Sequence, residues 1–133
     1  MEIHGTFILR FGVFRTLWDM PNDTMTFTYT PGQREGVMIL KLDGPLTLST
    51  MFSFQGEFRA MTPPLLIVDL AGTPYMDSAG LGVLMNAYVS ANTHGRQLLL
   101  AATNDRIRAL FELTKVDALL KSYPTVEEAE AGV

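Results

Sequence analysis

The stretch Leu65-Leu66-Ile67-Val68-Asp69-Leu70-Ala71-Gly72-Thr73-Pro74-Tyr75-Met76-Asp77-Ser78-Ala79-Gly80-Leu81-Gly82-Val83-Leu84 decides the fold. Its opening residues are apolar with one break at Asp69, the pattern of a strand covered on both faces inside a parallel sheet. A tight turn follows, and Leu81, Leu84, Met85 and Tyr88 then recur at helical spacing. A serine therefore stands where a helix begins. The first turn of a helix has four backbone N–H groups without intrahelical partners, and the macrodipole adds positive charge there. A hydroxyl at that point can cap the helix, attack a substrate or accept a phosphate.

The order of elements continues regularly on both sides. Downstream, Gly95 is a helix stop, and Leu98-Leu99-Leu100-Ala101-Ala102 is a second buried strand. Asn104 is an N-cap for a helix that buries Ile107, Leu110 and Phe111. Leu119 to Tyr123 reads as a short last strand, and Thr125-Val126-Glu127-Glu128 has the capping-box form that opens a final helix. Upstream, Thr26 to Thr30 and Val37 to Leu42 form a hairpin around Pro31-Gly32, ending at Asp43-Gly44-Pro45. Met51, Phe54, Phe58 and Met61 give a helical stripe that Pro63-Pro64 ends. Strands alternating with helices after a hairpin argue an α/β fold: a mixed sheet of four to five strands with about four helices packed against it.

Residues 1–23 stand apart. Phe7, Leu9, Phe11 and Val13 alternate like a strand, while Phe7, Phe11, Phe14 and Trp18 also fit a helical stripe. Pro21-Asn22-Asp23 marks a boundary, so the expected organisation is an extension over 1–23 and one domain over 24–133. The extension packs on the domain or, because its aromatics need a covering surface, joins two copies as a homodimer. Translation starting at Met20 or Met25 is the third reading.

Composition removes several function classes. The net charge of −4 gives no electrostatic footprint for nucleic acid. The absence of cysteine excludes a disulfide framework and thiol chemistry. No apolar run reaches a membrane-span length, and the N-terminus lacks signal-peptide form because Glu2 precedes any basic residue and Arg10 interrupts the apolar stretch. The expected setting is the cytoplasm. The strand–serine–helix turn departs from the nucleophile elbow G-x-S-x-G at Met76. His94, beside the helix stop, fits a helix-end role better than that of a base. Gly80-Leu81-Gly82 is no phosphate loop, since no lysine follows. Asp43, Asp69 and Asp77 are scattered without metal-ligand spacing, and Asp69 fits a turn-binding role. An enzyme is not expected.

At Ser78 the structural role is capping by Asp77 or Ser78, with Gly80 and Gly82 allowing close packing on the sheet. The small residues Ala79, Gly80 and Gly82 also leave the hydroxyl open to another protein. Phosphorylation would add about −1.5 to −2 charges at a helix end that partly stabilises them, so a docked partner would feel the change more than the fold.

Ile67-Val68-Asp69-Leu70, the turn to Tyr75, and Met76-Asp77-Ser78-Ala79-Gly80-Leu81-Gly82-Val83-Leu84 closely resemble the signature of bacterial anti-sigma-factor antagonists, single-domain members of the STAS class. The resemblance runs from about Thr26 to Ala131 and includes Asn104 to Thr114 and Val126-Glu127-Glu128-Ala129. It implies that Ser78 is phosphorylated by an anti-sigma factor that is also a serine kinase, that the unphosphorylated chain binds this kinase and frees a sigma factor, and that a serine/threonine phosphatase restores it. It implies no cofactor in this chain, ATP and Mg²⁺ belonging to the kinase. The implied partner surface comprises Asp77, Ser78, Ala79, Gly80, Leu81 and Gly82 with Gly44 and Thr47. The family often has an acidic loop after the second strand; here Gly44-Pro45-Leu46-Thr47 holds neither acid. The alternative is a STAS scaffold or subunit of a signalling or lipid-transport complex, in which Ser78 only caps its helix.

Overall fold

The structure, a computed structural model, describes residues 2–3, 6–11, 25–51, 56 and 60–132. Seven strands run in sequence order across one sheet: β1 (Glu2–Ile3), β2 (Thr6–Phe11), β3 (Met25–Pro31), β4 (Val37–Asp43), β5 (Leu65–Gly72), β6 (Gln97–Ala101) and β7 (Ser122–Tyr123). Pairing is antiparallel from β1 to β4 and parallel from β4 to β7, so the sheet is mixed as expected. The five strands from Met25 onward are the expected ones. Glu2–Ile3 and Thr6–Phe11 add two more, with β2 pairing along the outer edge of β3 from Phe7↔Tyr29 to Phe11↔Met25. Val13, Phe14, Trp18 and Pro21-Asn22-Asp23 lie outside the described residues, as do Phe54 and Phe58.

Three helices are described end to end: α1 (Ser78–Thr93), α2 (Asp105–Thr114) and α3 (Val126–Ala131). Residues 48–51, 56 and 60 are also helical and mark the fourth, which starts three residues earlier than the stripe at Met51 suggests. Parallel crossovers are almost always right-handed. With every crossover from β4 to β7 stepping the same way, their helices fall on one face. Alternation along the strands then divides the core in two. Leu40, Leu42, Leu66, Val68, Leu70, Leu98 and Leu100 meet Leu81, Val83, Leu84 and Ala91 of α1 and Ile107 and Phe111 of α2. Val37, Leu65, Ile67, Leu99 and Ala101 point the other way and are covered by Ala129 of α3. This two-sided burial explains why Leu65 to Leu70 carries no polar alternation.

The helix ends follow their residues. His94 ends α1, its Nδ1 2.8 Å from the Ser90 carbonyl, and Gly95 follows at φ 72°. Asn104 Oδ1 accepts from Ile107 N at 2.9 Å and caps α2; Thr125 Oγ1 accepts from Glu128 N at 3.1 Å and caps α3. The last strand is shorter than Leu119–Tyr123, because the chain turns at Leu119 and Leu120 after α2 and buries only Leu120. At the end of α2, Lys115 holds φ 63°, ψ 29°, a left-handed cap that favours glycine. Lys115→Gly is therefore expected to raise stability by about 0.5–1 kcal/mol, measured as a higher denaturant midpoint at unchanged slope.

Candidate functional site

The parallel strands β4, β5 and β6 end together, and the loops that leave them, 44–47, 73–77 and 102–104, share one edge of the sheet. Open α/β sheets place their functional residues at these carboxyl ends. Backbone bonds tie the first two loops: Gly44 N donates to Gly72 O at 2.8 Å, Leu46 N to Tyr75 O at 3.2 Å, and Asp77 N to Leu46 O at 3.2 Å. Gly44 has φ 117°, a conformation that suits glycine. Asn104 binds the second loop to the third, its Nδ2 donating to Pro74 O at 2.9 Å and Thr73 O at 3.3 Å. The Arg106 guanidinium sits 5.1 Å from the centre of the Tyr75 ring. Thr73 and Thr50, both buried, satisfy their hydroxyls on the Leu42 and Pro45 carbonyls, at 3.2 and 3.0 Å.

Asp77 is the hub. One carboxylate oxygen accepts from Gly80 N at 2.9 Å and caps α1; the other accepts from Leu48 N at 3.0 Å, at the start of the helical residues 48–51. Of the two capping candidates the structure selects Asp77, and Ser78 becomes the first residue of α1. Ser78 is exposed, and its hydroxyl makes no hydrogen bond among the described residues.

The glycines divide. A side-chain carbon on Gly80 would collide with the carbonyl oxygen of Leu46, whereas one on Gly82 would meet nothing within 4 Å. This corrects the expectation that both pack α1 on the sheet: Gly80 admits the 44–47 loop, and Gly82 faces open space. Gly80 and Leu81 are buried, whereas Ser78 is exposed and Gly44, Asp77, Ala79 and Gly82 are half-buried, so these five form the outer surface. Thr47, in the neighbouring 44–47 loop, is half-buried, its Oγ1 3.0 Å from Ser49 Oγ. The double reach of Asp77 and the buried threonines are not visible in sequence. The single hint is the polar run Thr47-Leu48-Ser49-Thr50, in which Thr47 N donates back to Thr50 Oγ1 at 3.0 Å, half of a capping box.

Among the described residues, no histidine lies near this hydroxyl. His94 is at the opposite end of α1, about 24 Å away at 1.5 Å per residue. Asp69 instead accepts from Ala71 N at 3.0 Å, the turn role its position suggests. Among the described residues no group of three or more His, Asp or Glu side chains could hold a metal ion, and no helix is long and apolar enough to cross a membrane.

Comparison with known proteins agrees with the architecture. The anti-sigma-B factor antagonist of Listeria monocytogenes is 37% identical over 57 residues, which cover 43% of this chain and 50% of that protein. The chain thus matches about half the length of that relative. The crystal structure of an anti-sigma factor antagonist from Mycobacterium paratuberculosis superposes with a TM-score of 0.74 at 24% identity, covering 84% of this chain and 95% of that one. The anti-sigma factor antagonist SpoIIAA, in its unphosphorylated form, superposes with a TM-score of 0.65 at 18% identity over 80% of this chain and 97% of that one. At these identities the structural likeness is one of fold. The family model of the STAS domain matches residues 30–129, from the end of β3 into α3. The chain belongs to the STAS domain family.

Proposed function

We propose that this chain is an anti-sigma-factor antagonist whose binding to an anti-sigma serine kinase is switched by phosphorylation of Ser78. One observation carries the reading: the cap of α1 is Asp77, so the exposed Ser78 hydroxyl is left with no structural task. Its position at the helix start lets the dipole of a 16-residue helix offset part of the phosphate charge. Asp77 lies beside it and opposes that charge. The modification therefore leaves the fold standing and acts on whatever has docked against Ser78, Ala79, Gly82 and Thr47. Gly80 and Leu81 serve this surface from beneath, and the half-buried Gly44 fixes the loop at its rim. The names of the relatives support the same class of partner. In this reading the kinase supplies ATP and Mg²⁺, a serine/threonine phosphatase resets the switch, and the chain has no catalytic role of its own.

The scaffold reading gives Ser78 the role of a cap, which Asp77 fills. The two readings separate by titration with a purified anti-sigma serine kinase from the source cell. Ser78→Ala is expected to bind like the wild type and to resist labelling. Ser78→Asp is expected to bind about tenfold more weakly, as a fixed negative charge at the contact opposes docking. Equal affinity of all three chains would remove the switch.

A further inference from the structure

We infer that Leu48 is the residue by which this chain selects its partner, an apolar anchor that enters an uncharged pocket of the anti-sigma factor beside Ser78. The inference rests on the proposed docking at Ser78 and adds what the docked surface must look like.

Four large apolar side chains are prominently exposed among the described residues: Leu48 at 55%, Val89 at 55%, Leu113 at 81% and Leu119 at 46%. Single exposed apolar residues are ordinary, so exposure alone decides nothing. Leu48 differs in how it is held. Its backbone N–H is bound by Asp77 Oδ2 at 3.0 Å, and Asp77 is the residue immediately before Ser78. Its neighbours Thr47 and Ser49 are linked through their hydroxyls at 3.0 Å, and Thr50 is buried and bonded to the Pro45 carbonyl at 3.0 Å. An anchor fixed before docking loses less conformational freedom when a partner covers it.

The polar groups around it point to the same partner chemistry. Both Asp77 oxygens are taken by backbone N–H groups. Asn104 is committed through both its oxygen and its nitrogen. Arg106 stacks on Tyr75, and Asp105 pairs with Arg108 at 3.3 Å. Positions 44–51 contain no charged side chain at all. Across the loop from Ser78, positions 44–51 offer a leucine flanked by hydroxyls and no charged side chain. The complementary surface is an apolar pocket rimmed by hydrogen-bonding groups. A basic pocket built for an acidic loop would be left unpaired by this chain, and leaving a charge buried without a partner discriminates strongly against the wrong complex.

The test titrates the purified anti-sigma factor of the source cell against wild-type chain, Leu48→Ala, Leu48→Asp and Leu113→Ala, the last being exposed on the far end of α2. Melting curves confirm that each variant is folded, and Leu48→Met serves as the conservative control. Expected are a loss of about tenfold for Leu48→Ala, a larger loss for Leu48→Asp, near wild-type affinity for Leu48→Met and no change for Leu113→Ala. Leu48→Ala within twofold of wild type, with Ser78 still labelled by the kinase, overturns the anchor and leaves the switch standing. Binding that depends on Leu48 in a chain whose Ser78 is never labelled sustains the anchor and overturns the switch. Failure of the wild-type chain to bind any anti-sigma factor of that cell overturns both.

Discussion

Gly80→Ala is expected to destabilise the protein by about 2 kcal/mol, while Gly82→Ala, two residues further along the same helix, is expected to stabilise it by about 1 kcal/mol. Both replacements gain the helix propensity of alanine, about 1 kcal/mol over glycine. They differ in what the new methyl group meets. At Gly80 it collides with the carbonyl oxygen of Leu46, a backbone atom that accepts from Asp77 N and whose residue pairs with Met76 in an isolated bridge. A backbone so held cannot swing aside as a long side chain does. The 44–47 loop has to leave the helix start, at the upper end of the roughly 1–3 kcal/mol range for overpacking. At Gly82 nothing lies within 4 Å. Chemical denaturation of the two variants reads the opposite signs directly. Equal shifts would mean that the loop does not press on the helix as described.

The second large effect belongs to Asp77. Asp77→Ala is expected to cost about 2 kcal/mol, roughly half from the lost α1 cap and half from the freed Leu48 N–H. Asp77→Asn keeps one oxygen acceptor and is expected to lose about half as much. An alanine variant within about 0.5 kcal/mol of the wild type in denaturant unfolding would show that water replaces both bonds without loss. The same variant releases Leu48 from its place beside Ser78, so weakened partner binding should accompany the stability loss.

Much of the fold was legible because the strong local signals agree with one another. The apolar run from Leu65 to Val68 reports a strand buried on both faces, and the structure places alternate residues in two separate clusters. Asn104, Thr125, His94 and Gly95 act at helix ends as their chemistry requires. The hairpin and the parallel strands follow from turn residues and spacing. Less legible was anything set by contacts between loops distant in sequence. That Asp77, not Ser78, caps α1 depends on where the helix begins and so on the Asp77 carboxylate reaching Gly80 N, and its second bond spans 29 residues to Leu48. Gly80 and Gly82 are identical in sequence terms and opposite in environment, because only one is met by the 44–47 loop. The pairing of β2 on β3 covers a sheet edge that the aromatic alternation of residues 7–13 allowed but did not require.

The motif around Ser78 and the architecture that exposes it make one measurement decisive. The chain is incubated with its anti-sigma serine kinase, ATP and Mg²⁺, phosphate is mapped by mass spectrometry, and the melting temperature and kinase affinity of the product are compared with those of the untreated chain. The expected result is a single phosphate on Ser78, a melting temperature nearly unchanged and a markedly weaker complex. Phosphate at another residue, with Ser78→Ala labelled as fully as the wild type, would contradict the account.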